Sequence, residues 1–125
     1  MFDIEIALDS LQKIKAMLDL ITERFSVVES PNDFLCSAGG MMRLDAICMN
    51  LIALGETVKG LDNKTNHELL INYPEVYWKG VMGIRDKISP HYFEIDPEVV
   101  FRTIDEDIPS MIPVVERMIS DLSKK

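Results

Sequence analysis

One short window of the sequence holds the residue types needed for acid–base chemistry on a charged substrate. Arg85, Lys87, His91 and Tyr92 all lie between positions 85 and 92. Arginine presents a planar, permanently charged guanidinium that suits a phosphate group, and histidine can give or take a proton near neutral pH. This combination suits phosphodiester chemistry, because the cation stabilises charge in the transition state while the imidazole transfers protons.

The same residues also allow a purely structural interpretation. Arg85 could pair with Glu56 or Asp86, His91 could be a surface residue, and Tyr92 could pack its ring at a helix junction. Structural ion pairs and histidines are commoner than catalytic ones. For Glu56, a solvated or paired carboxylate is the ordinary role, and the functional alternative is a carboxylate beneath the cleft that orients Arg85.

Length and charge limit the classes of protein that this chain can form. Its 125 residues are enough for one domain, residues 1–125, with a single core. The 13 basic and 21 acidic residues give a net charge of −8. Such a surface repels nucleic acid at long range, which argues against a general nucleic-acid coat protein. Any RNA contact must come from a local cationic patch, such as one completed by a second subunit.

The cysteines and the apolar runs indicate an ordinary interior and no membrane segment. Cys36 and Cys48 lie in apolar helical patterns and are predicted to be buried free thiols. No Cys-x-x-Cys or His-x-x-x-His spacing occurs, so no metal ligand is predicted, and no cofactor is implied. Acidic Asp3 and Glu5, and the lack of an apolar run of membrane-spanning length, predict a cytoplasmic protein.

Apolar residues recur at alternating spacings of three and four along most of the chain, as in amphipathic helices. The pattern predicts an all-α, up-and-down bundle of four main helices with one additional short helix. The main helices are expected at 2–25, from Ser30 to about Leu61, around 77–88, and from Asp96 to the C-terminus.

The second helix is predicted to be central. Ser30 with Pro31 and Asp33 has the character of a helix start, which places Gly39-Gly40 in the early turns. The helix is apolar over most of its circumference, which suits the middle of a bundle or a surface shared with a partner subunit. Its methionines are expected to fill the core, and residues 60–66 are expected to end the helix in a polar loop.

The remaining signals predict where the chain breaks around the cationic window. Thr65 and Glu68 have the spacing of a capping box, which would open the short helix. Ser89-Pro90 predicts a break after the third helix, and Asp96-Pro97 predicts the start of the last one. Pro109 and Pro113 within that helix predict a kink or a split near Asp107. In the third helix, a buried stripe is expected with Arg85 at its edge, formed by Tyr77, Trp78, Val81, Ile84 and Ile88.

The cationic window resembles the signature of the HEPN superfamily, in particular the HepT-like ribonuclease toxins of prokaryotic HEPN/MNT toxin–antitoxin pairs. Their motif is Arg, four residues, His, any residue, Tyr, followed by an aromatic and an acidic residue. Further points of resemblance spread over most of the chain. The matching residues are Arg85, Tyr92, Phe93 and Asp96, with Gly55-Glu56, Pro74, Trp78 and Asp107-Ile108-Pro109 elsewhere.

The resemblance implies an all-α HEPN fold and a metal-independent endoribonuclease that works at a cleft between two subunits. Arg85 would hold the scissile phosphate, His91 would act as general acid or base, and Tyr92 would position the substrate. Glu56 and Lys87 would support them. The implied partners are a second copy of the chain, an RNA substrate and an MNT-type nucleotidyltransferase antitoxin, which attaches AMP to the motif tyrosine, here Tyr92.

One residue departs from the family pattern. The closest pattern places its histidine at position 90, where this chain has Pro90 with His91 beside it. The wider superfamily accepts four to six residues between the arginine and the histidine, and this chain has five. The alternative function is therefore a catalytically impaired HEPN regulatory or binding subunit that pairs with the nucleotidyltransferase.

Overall fold

Four helical segments pack around one apolar core in the computed structural model of the protein, which describes residues 2–90 and 94–124. The all-α bundle predicted from the sequence is confirmed. The first two segments are single helices, the third is two short helices in tandem, and the fourth is a helix with an internal irregularity. Their bounds are α1 Ile4–Phe25; α2 Ala38–Lys64; α3 Trp78–Met82 with α4 Ile84–Ile88; and α5 Pro97–Arg102, a π-helical turn Thr103–Asp107 and α6 Ile108–Ser123.

The helix α1 lies between α2 and α6 and buries one seam against both. Asp3 caps its first turn, since Asp3 Oδ1 accepts hydrogen bonds from the backbone N–H of Glu5 and Ile6 at 2.9 and 3.2 Å. Its inward residues follow the spacings of three and four that the sequence predicted. Those fully buried are Ala7, Leu11, Ile14, Leu18 and Ile21.

The predicted start of α2 at Ser30 is wrong, because the capping residues there belong to a separate 3₁₀ turn, Pro31–Phe34. The helix begins at Ala38, where Ser37 Oγ accepts from the N–H of Gly40 at 2.9 Å. A Cβ on Gly40 would lie 2.2 Å from the carbonyl oxygen of Asp33, so only glycine lets the turn pack on the helix start. Gly39-Gly40 therefore lie in the first turn of α2.

The helix α2 ends at Lys64, within residues 60–66 where its end was predicted, although Gly60 is still helical. Thr65 is buried, and its Oγ1 donates back to the carbonyl of Leu61 at 2.8 Å. The residue closes α2, since a threonine hydroxyl can bond to the turn behind it as well as cap the turn ahead. Asn66 and His67 follow with φ of 56° and 62°. The expected short helix is only a 3₁₀ turn, Leu70–Asn72.

Several apolar side chains of this region face outward. Both cysteines are free thiols, but Cys36 is exposed, so the prediction that both are buried is wrong for Cys36. Burial raises the pKa of Cys48 to about 12. The prediction that the methionines fill the core is wrong for Met41, Met42 and Met49, which are 53, 72 and 74 % exposed. The helix α2 thus carries an apolar face on each side.

The last segment begins as predicted and changes its hydrogen bonding near Asp107. Asp96 Oδ1 accepts from the N–H of Glu98 and Val99, and Pro97 occupies the first helical position. The π-helical turn Thr103–Asp107 ends two residues before Pro109. A proline ring clashes with the carbonyl four residues earlier, and a wider turn removes that carbonyl from its path. The predicted irregularity is therefore present as a π turn.

Two polar contacts fix the segment that leads into α3. Tyr73 Oη donates to Asp121 Oδ2 on α6 at 2.7 Å, and Trp78 Nε1 donates to the carbonyl of Tyr73 at 2.8 Å. Burial and the bond to Asp121 raise the pKa of Tyr73 to about 12. The entry to α3 is therefore held against the C-terminal helix. Within the described residues, no helix combines the length and apolarity needed to cross a bilayer.

Candidate active site

The close approach of α2 to the short helices α3 and α4 positions the cationic window. A Cβ on Gly55 would lie 2.7 Å from the carbonyl oxygen of Val81 and 3.0 Å from Cγ2 of Ile84. Any side chain at position 55 would therefore push α3 and α4 away from α2. Ile84 and Ile88 are buried on the inner side of α4, which leaves Arg85 on its outer side.

Arg85 and Lys87 differ in their surroundings although both are exposed. Lys87 Nζ lies 3.2 Å from Asp107 Oδ2, which ties α4 to the π turn. Arg85 forms no ion pair or hydrogen bond through its guanidinium with any residue in 2–90 or 94–124. Its charge is therefore available to an external anion.

The structure does not bring Glu56 and Arg85 together as a pair. Glu56 is exposed on α2, next to Gly55, and no ion pair joins it to Arg85 in the described part of the chain. The same holds for Asp86, the other structural partner considered for Arg85. A role for Glu56 in orienting the guanidinium stays a prediction.

The helix α4 ends at the predicted break. Ser89 is no longer helical, with ψ of 70°, and its N–H donates to the carbonyl of Arg85 at 3.1 Å. Two bonds tie the returning chain to this end: Ser89 Oγ donates to Glu94 O at 2.8 Å, and Asp96 N–H donates to Ile88 O at 2.9 Å. The predicted site residues His91 and Tyr92, with the neighbouring motif residue 93, lie outside the described residues.

Sequence reasoning missed a cavity on the other side of α4. It has a volume of about 490 Å³ and lies between α3, α4 and the start of α6. Lys87, Asp107 and Thr103 line it together with Tyr77. Tyr77 was expected in a buried stripe, but it is 75 % exposed, because it precedes the first turn of α3 and its ring lies over Gly80. The sequence signal that could have indicated this placement is Gly80, three residues after Tyr77, because a glycine there leaves room for the tyrosine ring.

The acidic residues do not gather into a metal site. Among residues 2–90 and 94–124, no cluster of three or more His, Cys, Asp or Glu side chains is placed to hold a metal ion. The polar groups around α4 are a free guanidinium, one lysine–aspartate pair and backbone carbonyls. Among the described residues, their chemistry is that of anion binding through Arg85.

The fold and this site define an all-α bundle that presents, one turn before a helix break, an arginine with no ion-pair partner in residues 2–90 and 94–124. The family model for ribonuclease HepT-like proteins matches residues 7–118. The chain therefore belongs to the ribonuclease HepT-like family, and the resemblance drawn from the motif is confirmed.

Relatives in two archaea agree with this assignment. A protein of Thermococcus cleftensis named as a candidate ribonuclease HepT is 31 % identical over 110 residues, covering 88 % of this chain and 93 % of the relative. A protein of Methanocaldococcus jannaschii named as a candidate RNase is 34 % identical over 77 residues, covering 62 % of this chain and 60 % of the relative. No solved structure matches the chain significantly.

Proposed function

We propose that this protein is a metal-independent endoribonuclease, the toxin of a HEPN/MNT toxin–antitoxin pair, with residues 1–125 acting as one domain. The observation that carries the proposal is the unpaired guanidinium of Arg85. A chain with 21 acidic residues leaves this cation without a carboxylate partner in its described part, while nearby Lys87 is paired. An arginine kept free at a helix end suits a phosphate ligand. Family membership and the names of the relatives support RNA as the substrate.

The proposed reaction is transfer of the phosphodiester to the ribose 2′-oxygen. Arg85 binds the phosphate and stabilises its developing charge. His91 takes the 2′-OH proton as that oxygen forms its bond to phosphorus, and a proton returns to the 5′-oxygen as its bond to phosphorus breaks. Tyr92 positions the substrate, with Glu56 and Lys87 in support. The products are a 2′,3′-cyclic phosphate and a 5′-hydroxyl, which form without a metal ion.

The direct test is incubation of the purified protein with total cellular RNA in the presence of EDTA. We expect discrete cleavage products whose 3′ ends carry 2′,3′-cyclic phosphate, detected by sequencing of cyclic-phosphate ends. Cleavage that disappears when divalent cations are chelated would contradict metal independence. An unchanged RNA population at any protein concentration would contradict the nuclease itself.

We propose that the site works in a homodimer built on the outer face of α2. On this face, small residues recur every seven positions at Ala46, Ala53 and Gly60, and Met42 and Met49 alternate with them at spacings of three and four. Met42, Met49 and Ala53 are exposed, as is Glu56 on the same line. An exposed seam with this spacing suits packing against a second helix, and small residues allow close approach. A second copy would add its own Arg85 to an otherwise acidic surface.

Replacing Ala53 with arginine should convert the dimer to a monomer and abolish RNA cleavage, because a long charged side chain would separate the two copies of α2. The oligomeric state is measured by size-exclusion chromatography with light scattering. Ala16→Arg makes the same change at an exposed position of α1 and serves as the control. A dimeric and active Ala53→Arg variant would place the subunit contact elsewhere.

We propose an MNT-type nucleotidyltransferase as the antitoxin, acting on Tyr92 in the cytoplasm. Incubation with such an enzyme encoded next to this chain and with ATP should add the mass of AMP to Tyr92 and suppress cleavage. The measurement is intact mass spectrometry with peptide mapping, and Tyr92→Phe is the control.

Pro90, at the place of the motif histidine, supports the alternative function of an impaired regulatory subunit. Modification of a protein that never cuts RNA would favour that alternative.

A further inference from the structure

The cavity beside Lys87, called here the Thr103 cavity, is lined by a buried hydroxyl, that of Thr103, which forms no hydrogen bond within the described helices. Thr103 is 3 % exposed, lines the cavity, and its Oγ1 has no hydrogen-bond partner among the described residues. Three other threonines at helical positions behave differently: Thr22, Thr57 and Thr65 each donate to the carbonyl four residues earlier at 2.8 Å. A buried hydroxyl without a partner costs free energy, so it calls for a ligand or another explanation.

The position of Thr103 supports a functional explanation. It is the first residue of the π-helical turn, and such turns occur frequently at functional sites. The cavity volume of about 490 Å³ is in the range of small-ligand sites. Its inner wall is formed mainly by apolar side chains, among them Val81, Ile84 and Met111. A ligand that fits must therefore be mostly flat or apolar, with at least one hydrogen-bonding group for the hydroxyl.

The charges at the cavity favour the base of a nucleotide over its phosphate. Glu75 and Asp107 line it, and each is already in an ion pair, Glu75 with Arg117 and Asp107 with Lys87. Among the described lining residues, a phosphate would find no unpaired cation, so the cavity offers it little stabilisation. An uncharged ring carrying N–H and C=O groups would meet both hydrogen-bonding and apolar side chains of the lining. The exposed ring of Tyr77 provides a surface on which such a ring can stack.

The geometry points to a nucleobase as the occupant. We propose that the Thr103 cavity binds an unstacked base of single-stranded RNA while Arg85 binds the neighbouring phosphate, an inference that rests on the proposed nuclease function. The helix α4 has five residues and is only about 7.5 Å long. Arg85 on the outer side and Lys87 on the cavity side face away from each other, so the proposal requires the RNA chain to cross this short helix between the phosphate and the base. The cavity would then determine which base lies next to the cut.

The test begins with binding that does not depend on cleavage. The four ribonucleosides, their 5′-monophosphates and a short single-stranded RNA with 2′-O-methyl groups are titrated by calorimetry and by NMR of the Thr103 amide. We expect one base to bind in preference to the others, and the oligonucleotide to bind more tightly than the free nucleoside. Binding of the free monophosphate alone would identify a free-nucleotide site and overturn the RNA-base proposal, as would binding of none of these probes.

Two variants test how much the Thr103 hydroxyl and the Tyr77 ring contribute to base binding, separately from any effect on folding. Thr103→Val keeps the side-chain shape and removes the unpartnered Oγ1, so the thermal midpoint should hold or rise while base binding falls roughly fivefold. Tyr77→Ala should weaken binding roughly tenfold or more through lost stacking. Ile71→Ala is the control, since Ile71 is 74 % exposed and does not line the cavity. Unchanged binding in both cavity variants would overturn the proposal.

The cleavage assay then distinguishes this inference from the nuclease proposal. If Thr103→Val and Tyr77→Ala cut RNA with altered base preference at the cleaved position, both proposals stand. Normal cleavage with unchanged base preference in both variants overturns the cavity proposal and leaves the nuclease intact. Base binding by a protein that cuts no RNA overturns the nuclease and leaves a base-specific RNA-binding site.

Discussion

Arg85→Ala is expected to lower the rate of RNA cleavage by at least about 100-fold, the effect of removing one transition-state donor from an enzyme site. The fold should be unaffected, because the Arg85 side chain is exposed and pairs with no carboxylate in residues 2–90 or 94–124. The measurements are initial rates on a labelled RNA and the thermal midpoint by circular dichroism. A slow variant with an unchanged midpoint would locate the defect in chemistry or phosphate binding.

Two further variants make this prediction specific. Arg85→Lys keeps the positive charge but loses the bidentate fork, so its rate should lie between those of the wild type and Arg85→Ala. Arg102→Ala removes another exposed arginine that has no ion pair in the described residues and should cut RNA normally. If Arg85→Ala keeps its activity, or if Arg102→Ala loses as much, the phosphate is not held by this guanidinium.

Periodicity predicted the helices well because it reflects burial directly. The inward residues of α1 from Ala7 to Ile21, and those of the last segment from Ile104 to Leu122, are buried at spacings of three and four. Capping signals were less reliable, because the same residue types act in several kinds of turn. Ser30 caps a 3₁₀ turn, and Thr65 closes the helix that it was expected to follow. The exposed methionines of α2 show that apolar character alone does not decide between the core and an outward face.

The candidate site was predictable in its chemistry and less so in its surroundings. Arg85 stands out in the sequence because a fixed cation and an imidazole occur close together. That Lys87 pairs with Asp107, twenty residues away, depends on the tertiary packing of α4 on the π turn. Thr103 gives no sequence signal at all, since a threonine in a helix ordinarily bonds to the preceding turn. That its hydroxyl has no partner in the described part of the chain is visible only in the structure.

Gly55→Ala is the substitution expected to harm the fold most directly, although alanine is the better helix former. The added Cβ would lie 2.7 Å from a backbone carbonyl, that of Val81, which cannot rotate away. Overpacking of this kind costs about 1–3 kcal/mol, so the thermal midpoint should fall by roughly 3–10 °C. Because α3 and α4 must move to relieve the contact, Arg85 should be displaced and RNA cleavage should fall as well, even at temperatures where the variant is fully folded.

Gly60→Ala is the matched control in the same helix. A Cβ at Gly60 would have no neighbour within 4 Å, and Ala46 and Ala53 occupy the equivalent positions of the proposed dimer seam. This variant should gain up to about 1 kcal/mol from helix propensity and cut RNA normally. Opposite shifts in the two midpoints would show that position 55 is glycine because of the approach of α3 and α4. Equal gains in both variants would mean that α4 can shift freely, and that the placement of Arg85 does not depend on this contact.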